Sequence, residues 1–122
     1  VENQVHYANL RAKNFDCGDG GWIGDYNDAK NFLYLFESRT GSQNYPGYNN
    51  PTYDQLIRDS DVERDDQRRA QLMLQAEELM LREAPICASV FINSTNLVHP
   101  DLTGYEDNIE DIHRARWFGI RA

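Results

Sequence analysis

The chain has 122 residues, a net charge of −8 and a hydrophobic fraction of 40%, which are typical of one ordered domain. No apolar run approaches the roughly 20 residues that a membrane-spanning helix needs. The acidic balance argues against a nucleic-acid interface, which needs clustered cations, because Lys13 and Lys30 are the only lysines. The first ten residues lack the pattern of a signal peptide, and the missing initiator Met favours a processed product or an excised segment.

The first elements are predicted to be a helix and a strand. Residues 2–14 predict a weak helix in which Val5, Ala8 and Ala12 recur at helical spacing. Residues 15–22, FDCGDGGW, predict a strand that runs into a glycine-rich turn.

A short helix and a polar loop are predicted next. Asp28 is a suitable N-cap for a helix that continues to Phe36, with Phe32 and Leu33 on its apolar face. Residues 38–50, SRTGSQNYPGYNN, are too polar to pack as a regular element and predict a loop.

Two longer helices follow the loop. Asn50 is the predicted N-cap of the first, which opens with Pro51 and turns Tyr53, Leu56 and Ile57 inward. The second is predicted over residues 66–83, with Asp65 as its cap. Its apolar stripe is predicted to face the core, with the methionines as core filler: Leu72, Met73, Ala76, Leu79 and Met80.

The last third of the chain predicts strands. Pro85 ends the long helix, and residues 85–93, PICASVFIN, form a nearly continuous apolar run that is typical of a strand buried on both faces. Residues 115–120, ARWFGI, predict a final strand. The predicted class is α/β or α+β, with a few-stranded sheet packed against three to four helices. So small a sheet needs neighbouring strands, which we expect from sequence outside these residues.

The cysteines and histidines do not form a recognisable metal site. Cys17 and Cys87 each lie in a strand-like run, where a disulfide between them and two buried free thiols both fit the pattern. His6, His99 and His113 lie far apart, and none is spaced with a cysteine as zinc ligands are. We therefore predict neither a metal nor a cofactor.

The stretch GGWIGDYNDAKNFL, residues 20–33, places a large aromatic residue and a carboxylate in a glycine-rich turn. From the local pattern, Asp25 closes an Asx-turn, Trp22 belongs to a core or an interface, and Tyr26 packs its ring beneath the loop. A turn needs no tryptophan, however, so the alternative is that a ligand rests on the indole.

Four sequence blocks carry a resemblance to a known family, which favours the interpretation that a ligand rests on the indole. They are FDCGDGGWIGDYNDAKNFLYLF, YNNPTYDQLI, RRAQLMLQAEELMLREAPICASVF and LVHPDLTGYEDN. In this order they resemble the C-terminal part of the bacterial solute-binding proteins of oligopeptide and dipeptide ABC importers, solute-binding protein family 5. The resemblance runs from about Phe15 to Trp117. Members of this family are several times longer, with two lobes that close over a cleft, so residues 1–122 are expected to form one domain within the C-terminal lobe.

The resemblance implies a ligand-binding set of Asp25, Trp22, Gly24, Ile23 and Asp19. In peptide-binding members the aspartate of W-x-x-D-Y pairs with the α-ammonium of the peptide, and the tryptophan forms the adjacent wall of the cleft. A charge-assisted hydrogen bond of this kind contributes about 1.5–3 kcal/mol. This chain departs from the pattern in two places, because Asp19 replaces an arginine and Ile23 replaces a cysteine that some members carry.

The resemblance also implies a function without catalysis. We expect the substrate-binding component of a periplasmic ABC importer, which binds peptides with a free N-terminal amine between two lobes. The expected partners are the peptide and the membrane permease subunits; nucleic acid is not expected, and the chain is not expected to span the membrane. The alternatives are the same scaffold with an oligosaccharide, an opine or a metal chelate, or a hydrolase that pairs Asp25 with Asp28 or Asp16 with Asp19.

Overall fold

The computed structural model describes residues 2–121 as a helical unit followed by a small antiparallel sheet. Its α-helices are α1 (Asn3–Ala12), α2 (Lys30–Leu33), α3 (Pro51–Val62) and α4 (Asp66–Glu83). Turns of 3₁₀-helix lie at Tyr34–Phe36, Ser38–Gln43 and Ala115–Trp117. Strand β1 (Leu102–Thr103) pairs with β2 (Gly119–Ile120), with Leu102 opposite Ile120. This mixture of helices with a small sheet confirms the predicted fold class.

The core lies between α3 and α4. Tyr53 and Ile57 of α3 are fully buried, and Leu33 of α2 completes the cluster. On α4 the predicted stripe is confirmed, with Met73, Ala76 and Met80 buried and Leu72 and Leu79 half-buried. The two methionines fill the core, as predicted.

Side-chain caps explain where α3 and α4 begin, and both predicted caps are confirmed. The Asn50 side chain accepts hydrogen bonds from the backbone N–H groups of Thr52 and Tyr53, at 2.9 and 3.2 Å. Asp65 accepts one from the N–H of Arg68 at 2.8 Å. These bonds satisfy donors that have no partner within the first turn of a helix.

A carboxylate fastens the far end of α4 to the start of α3. Glu83 accepts hydrogen bonds from the Asn50 amide at 2.9 Å and from the Tyr48 hydroxyl at 2.7 Å. Both bonds hold the pKa of Glu83 below its usual value. Burial and this carboxylate raise the pKa of Tyr48 to about 12. The 38–50 segment is thereby anchored to the helical pair.

The buried face of α1 differs from the prediction. Val5, Ala8 and Ala12 are exposed, whereas Leu10 is buried against the following loop. The helix itself is confirmed, so the error lies in its orientation. Leu10 is the larger apolar side chain and gains more from burial than the two alanines.

Three other local predictions are wrong. Residues 15–22 and 85–93 contain no strand, and the final predicted strand is limited to Gly119–Ile120. Val90 and Phe91 are 77% and 99% exposed. An apolar run forms a buried strand only where another strand pairs with its backbone and another layer covers its side chains, and no described residues do either.

The predicted 38–50 loop contains regular structure in its first half, the 3₁₀-helix at Ser38–Gln43. A buried carboxylate explains its position, because Asp54 of α3 accepts hydrogen bonds from the backbone N–H and the hydroxyl of Ser38. Polarity in this segment thus reflects internal hydrogen bonds rather than solvation alone.

The cysteine prediction is resolved against both of its alternatives. Cys17 and Cys87 are free and exposed, so they are neither joined nor buried. Within the described residues no group of three or more histidine, cysteine, aspartate or glutamate side chains lies close enough to hold a metal ion. None of the helices described has the length and apolar character required to cross a membrane.

Candidate functional site

The W-x-x-D stretch lies in irregular backbone that is attached to α2 by one buried amide. Asn31 is fully buried, and its Oδ1 accepts hydrogen bonds from the Trp22 indole Nε1–H at 3.1 Å and from the Asp25 backbone N–H at 3.0 Å. Its Nδ2 donates to Oδ2 of Asp25 at 3.3 Å. One side chain therefore joins the indole and the carboxylate that the sequence placed in the ligand-binding set.

The carboxylate of Asp25 is exposed and only partly paired. The Asn31 amide is its hydrogen-bond partner, and within residues 2–121 Oδ1 of Asp25 accepts no hydrogen bond. An Asx-turn does not account for this residue, because its partner is a side chain six positions along the chain. Asp25 therefore has an oxygen available to an external donor.

The indole of Trp22 is half-buried and leans edge-on against the ring of Tyr34, with centroids 6.1 Å apart. Burial, followed by the negative charge of Asp25, raises the pKa of Tyr34. The ring of Tyr26 is 48% exposed, so the prediction that it packs beneath the loop is wrong. Ile23 is 73% exposed. The loop thus exposes apolar surface at two residues that follow Trp22.

Gly24 is buried between two apolar side chains. A Cβ at this position would lie 3.2 Å from Cδ1 of Ile109 and 3.3 Å from Cζ of Phe32. Contacts this close leave no room for a methyl group unless the neighbours shift. The glycine therefore allows the loop to pack against its own chain, while its contact with a ligand stays a prediction.

The loop is also attached to α1 at its other end. His6 Nε2 lies 2.7 Å from the backbone oxygen of Asp19, within hydrogen-bond distance. Asp19 itself is exposed. Its place in the ligand-binding set stays a prediction, since the hydrogen bonds of Asn31 go to Trp22 and Asp25.

A charge pair holds the end of the loop against α4. Asp28 and Arg69 form two parallel contacts of 2.8 and 2.9 Å, and Asp28 also accepts a hydrogen bond from the Lys30 backbone N–H. The predicted cap at Asp28 is wrong by one residue, because Ala29 occupies the N-cap position of α2 and makes no side-chain cap hydrogen bond. The hydrogen bond from Arg69 holds the pKa of Asp28 below its usual value against the opposing effect of burial.

Replacing Arg69 with Gln is expected to weaken the fold at neutral pH by on the order of 0.5–1 kcal/mol, because both partners are partly solvated. The pKa of Asp28 is lowered in the folded state, so the pair stabilises the fold above the unfolded value of 3.8 and is lost as pH falls through the lower folded value. Urea unfolding near pH 7 and near pH 3 measures this. The exposed Arg64, changed to Gln, is the control. An equal deficit of the Arg69 variant at both pH values would contradict the assignment.

Two surface hollows lie away from the predicted site. One of about 280 Å³ lies beside the 3₁₀-helix that begins at Ser38, and another of about 460 Å³ lies along α4. Neither is lined by Trp22 or Asp25. The role of Trp22 and Asp25 in ligand binding therefore stays a prediction.

Comparison with known proteins identifies the relatives of the chain. No protein-family model matches it. The oligopeptide-binding protein OppA of Bacillus subtilis is 34% identical over 103 residues, and the dipeptide-binding protein DppE of the same organism is 36% identical over 104. These alignments cover 84% and 85% of this chain and 19% of each relative.

A solved structure agrees with these sequences. The unliganded open form of MppA, a periplasmic murein tripeptide binding protein, superposes with a TM-score of 0.73 at 33% identity. The match covers 98% of this chain and 23% of that chain. The chain belongs to solute-binding protein family 5. It spans about a fifth of the length of the relatives it matches, and each of them is named a binding protein.

One residue of this family 5 segment was not predicted from the sequence. Asn31 lies between Lys30 and Phe32 at the start of an apolar run, where an asparagine on a helix is usually exposed. Its position gave no signal, because on a helix a residue one place before the exposed Phe32 and two places before the buried Leu33 shares a face with neither.

Proposed function

We propose that the chain is part of the C-terminal lobe of the substrate-binding component of an ABC importer. In this proposal it binds peptides by their free N-terminal amine in the cleft between two lobes. The observation that carries the proposal is the exposed Asp25 carboxylate, which keeps one oxygen unpaired beside the half-buried indole of Trp22. The peptide-binding names of the relatives support the ligand class.

The chemistry of the loop suits an extended peptide. The carboxylate attracts the ammonium, and a charge-assisted hydrogen bond contributes about 1.5–3 kcal/mol, more when closure of the lobes excludes water. The indole contributes apolar area that does not select a particular side chain. Asp25 therefore recognises the end of the peptide, and Trp22 contacts the adjoining chain.

The opposing wall of the cleft is proposed to come from the rest of the protein. Two observations support this: the chain spans about a fifth of its relatives, and the 90–97 segment exposes Phe91 and Leu97 almost completely. Such a run of apolar side chains is costly in water unless another part of the molecule covers it.

The cellular setting follows from the same proposal. The protein would act outside the cytoplasmic membrane, in the periplasm, and deliver its ligand to the membrane permease subunits of the importer. It would bind its ligand unchanged, without catalysis and without a cofactor. Relatives named as periplasmic binding proteins support this setting.

Calorimetry on the full-length protein tests the proposal. Tri-alanine and N-acetyl-tri-alanine differ at the amine, and we expect tri-alanine to bind roughly tenfold more tightly or better, since each factor of ten corresponds to about 1.4 kcal/mol. Equal affinities for the two peptides would overturn recognition of the amine. Native mass spectrometry of the protein from cells could find a bound oligosaccharide, opine or metal chelate. That result would overturn the proposal that the ligand is a peptide.

A further inference from the structure

We infer that Asn31 is the positioning residue of the ligand-binding loop: its buried amide fixes Trp22 and orients the Asp25 carboxylate. The inference rests on the proposed function and adds to it a residue that touches no ligand itself. It begins from the contacts of one side chain, which reaches Trp22 and Asp25, two of the predicted ligand-binding residues.

The hydrogen bonds of Asn31 leave the amide one orientation. Its Oδ1 has two lone pairs, and these are taken by the Trp22 indole and by the backbone N–H of Asp25. If the amide rotated by half a turn, the NH₂ group of Asn31 would face the two N–H donors. Its oxygen would then face the Asp25 carboxylate. Because the side chain is fully buried, water cannot replace the lost bonds.

The same arrangement decides which oxygen of Asp25 is free. The Nδ2 group of Asn31 holds Oδ2 at 3.3 Å, while the backbone N–H of Asp25 is held at 3.0 Å. Two attachment points on one residue restrict rotation of its side chain. The unpaired oxygen is therefore presented in a defined direction, which lowers the conformational entropy that the Asp25 side chain loses when a ligand binds.

A purely structural role would look different. The described side-chain hydrogen bonds of Asn31 go to Trp22 and Asp25 and to no residue of α3 or α4, although α2 packs against α4. The core beneath α2 is apolar, and Leu33 is the residue of α2 that packs into it. A buried leucine at position 31 would fill similar space without any polar partner.

Asn31→Leu in the full-length protein tests the inference, because leucine keeps the volume and removes all three hydrogen bonds. The readout is the ratio of the affinities for tri-alanine and for N-acetyl-tri-alanine. We expect Asn31→Leu to lower this ratio about fivefold or more where Asp25 is present. In the Asp25→Asn background it should change the ratio less than about twofold, since interacting residues are not additive.

The indole resonances give a second readout. In a nitrogen–proton spectrum, Asn31→Leu should shift the Nε1–H signal of Trp22, which loses its hydrogen bond, and leave that of Trp117 in place. If Asn31→Leu does not fold, Asn31→Ser, whose hydroxyl is too short to reach both partners, takes its place in the same measurements.

The outcomes separate the inference from the proposed function. If Asp25→Asn alone leaves the ratio unchanged, recognition of the amine fails and the inference fails with it. If Asp25→Asn lowers the ratio but Asn31→Leu weakens both peptides equally, Asn31 is merely structural and the proposed function stands. An unshifted Trp22 signal in a folded variant would likewise overturn the positioning role.

Discussion

Asp25→Asn is expected to lower the affinity of the full-length protein for tri-alanine by roughly tenfold or more and to leave N-acetyl-tri-alanine nearly unaffected. Asparagine keeps the shape of the side chain and removes its charge. The variant still accepts a hydrogen bond, so the expected loss measures the attraction between carboxylate and ammonium. Isothermal calorimetry with both peptides measures it directly.

The control is a change of equal charge at a residue outside the predicted site. Asp16 is exposed in the same irregular segment, and Asp16→Asn alters the net charge by the same amount. Exposed charges interact weakly in water and are screened by salt, so this variant should bind as the wild type does. If both variants lose affinity equally, the effect comes from the overall charge, and Asp25 has no special place in the site.

The two long helices were predictable because their signals are local. Asn50 followed by Pro51 specifies the start of α3, and Asp65 specifies the start of α4. The apolar stripe of α4 repeats with a helical period from Leu72 to Met80, which identifies its buried face without knowledge of the rest of the fold. The caps and the apolar periodicity therefore predict the same two helices.

The strands were not predictable in the same way because a strand is completed by its neighbours. The 85–93 run has the composition of a buried strand, but it has no pairing partner among residues 2–121 and is almost wholly exposed. The sequence indicates that the segment requires a pairing strand and a covering layer. Only the surrounding protein determines whether these are present. The same limit explains the exposed thiol of Cys87.

The candidate site was predictable only in part. The resemblance placed Trp22 and Asp25 in one set, and the structure joins them through a shared amide. The amide itself was missed, because nothing in the letters around Asn31 shows that three hydrogen bonds converge on a buried position. Such a network depends on the backbone path between residues 25 and 31, which the helix start predicted at Asp28 does not specify.

Tyr53→Ala is expected to lower the free energy of unfolding by about 3–5 kcal/mol, the range for deleting a large buried aromatic side chain. Tyr53 is fully buried between α3 and α4, stacks edge-on with Tyr48 at 5.3 Å, and donates a hydrogen bond to the Leu33 backbone oxygen at 2.6 Å. Burial raises the pKa of its hydroxyl, which therefore stays protonated as a donor. Tyr53→Phe removes this hydrogen bond alone and should lower the free energy of unfolding by about 1–3 kcal/mol.

Urea unfolding monitored by helical ellipticity compares both variants with Tyr7→Ala. Tyr7 is an exposed tyrosine of α1, for which we expect little change. A Tyr53→Ala variant as stable as Tyr7→Ala would show that the α3–α4 core is not the part of the molecule that orders α2, and with it the loop that carries Asp25.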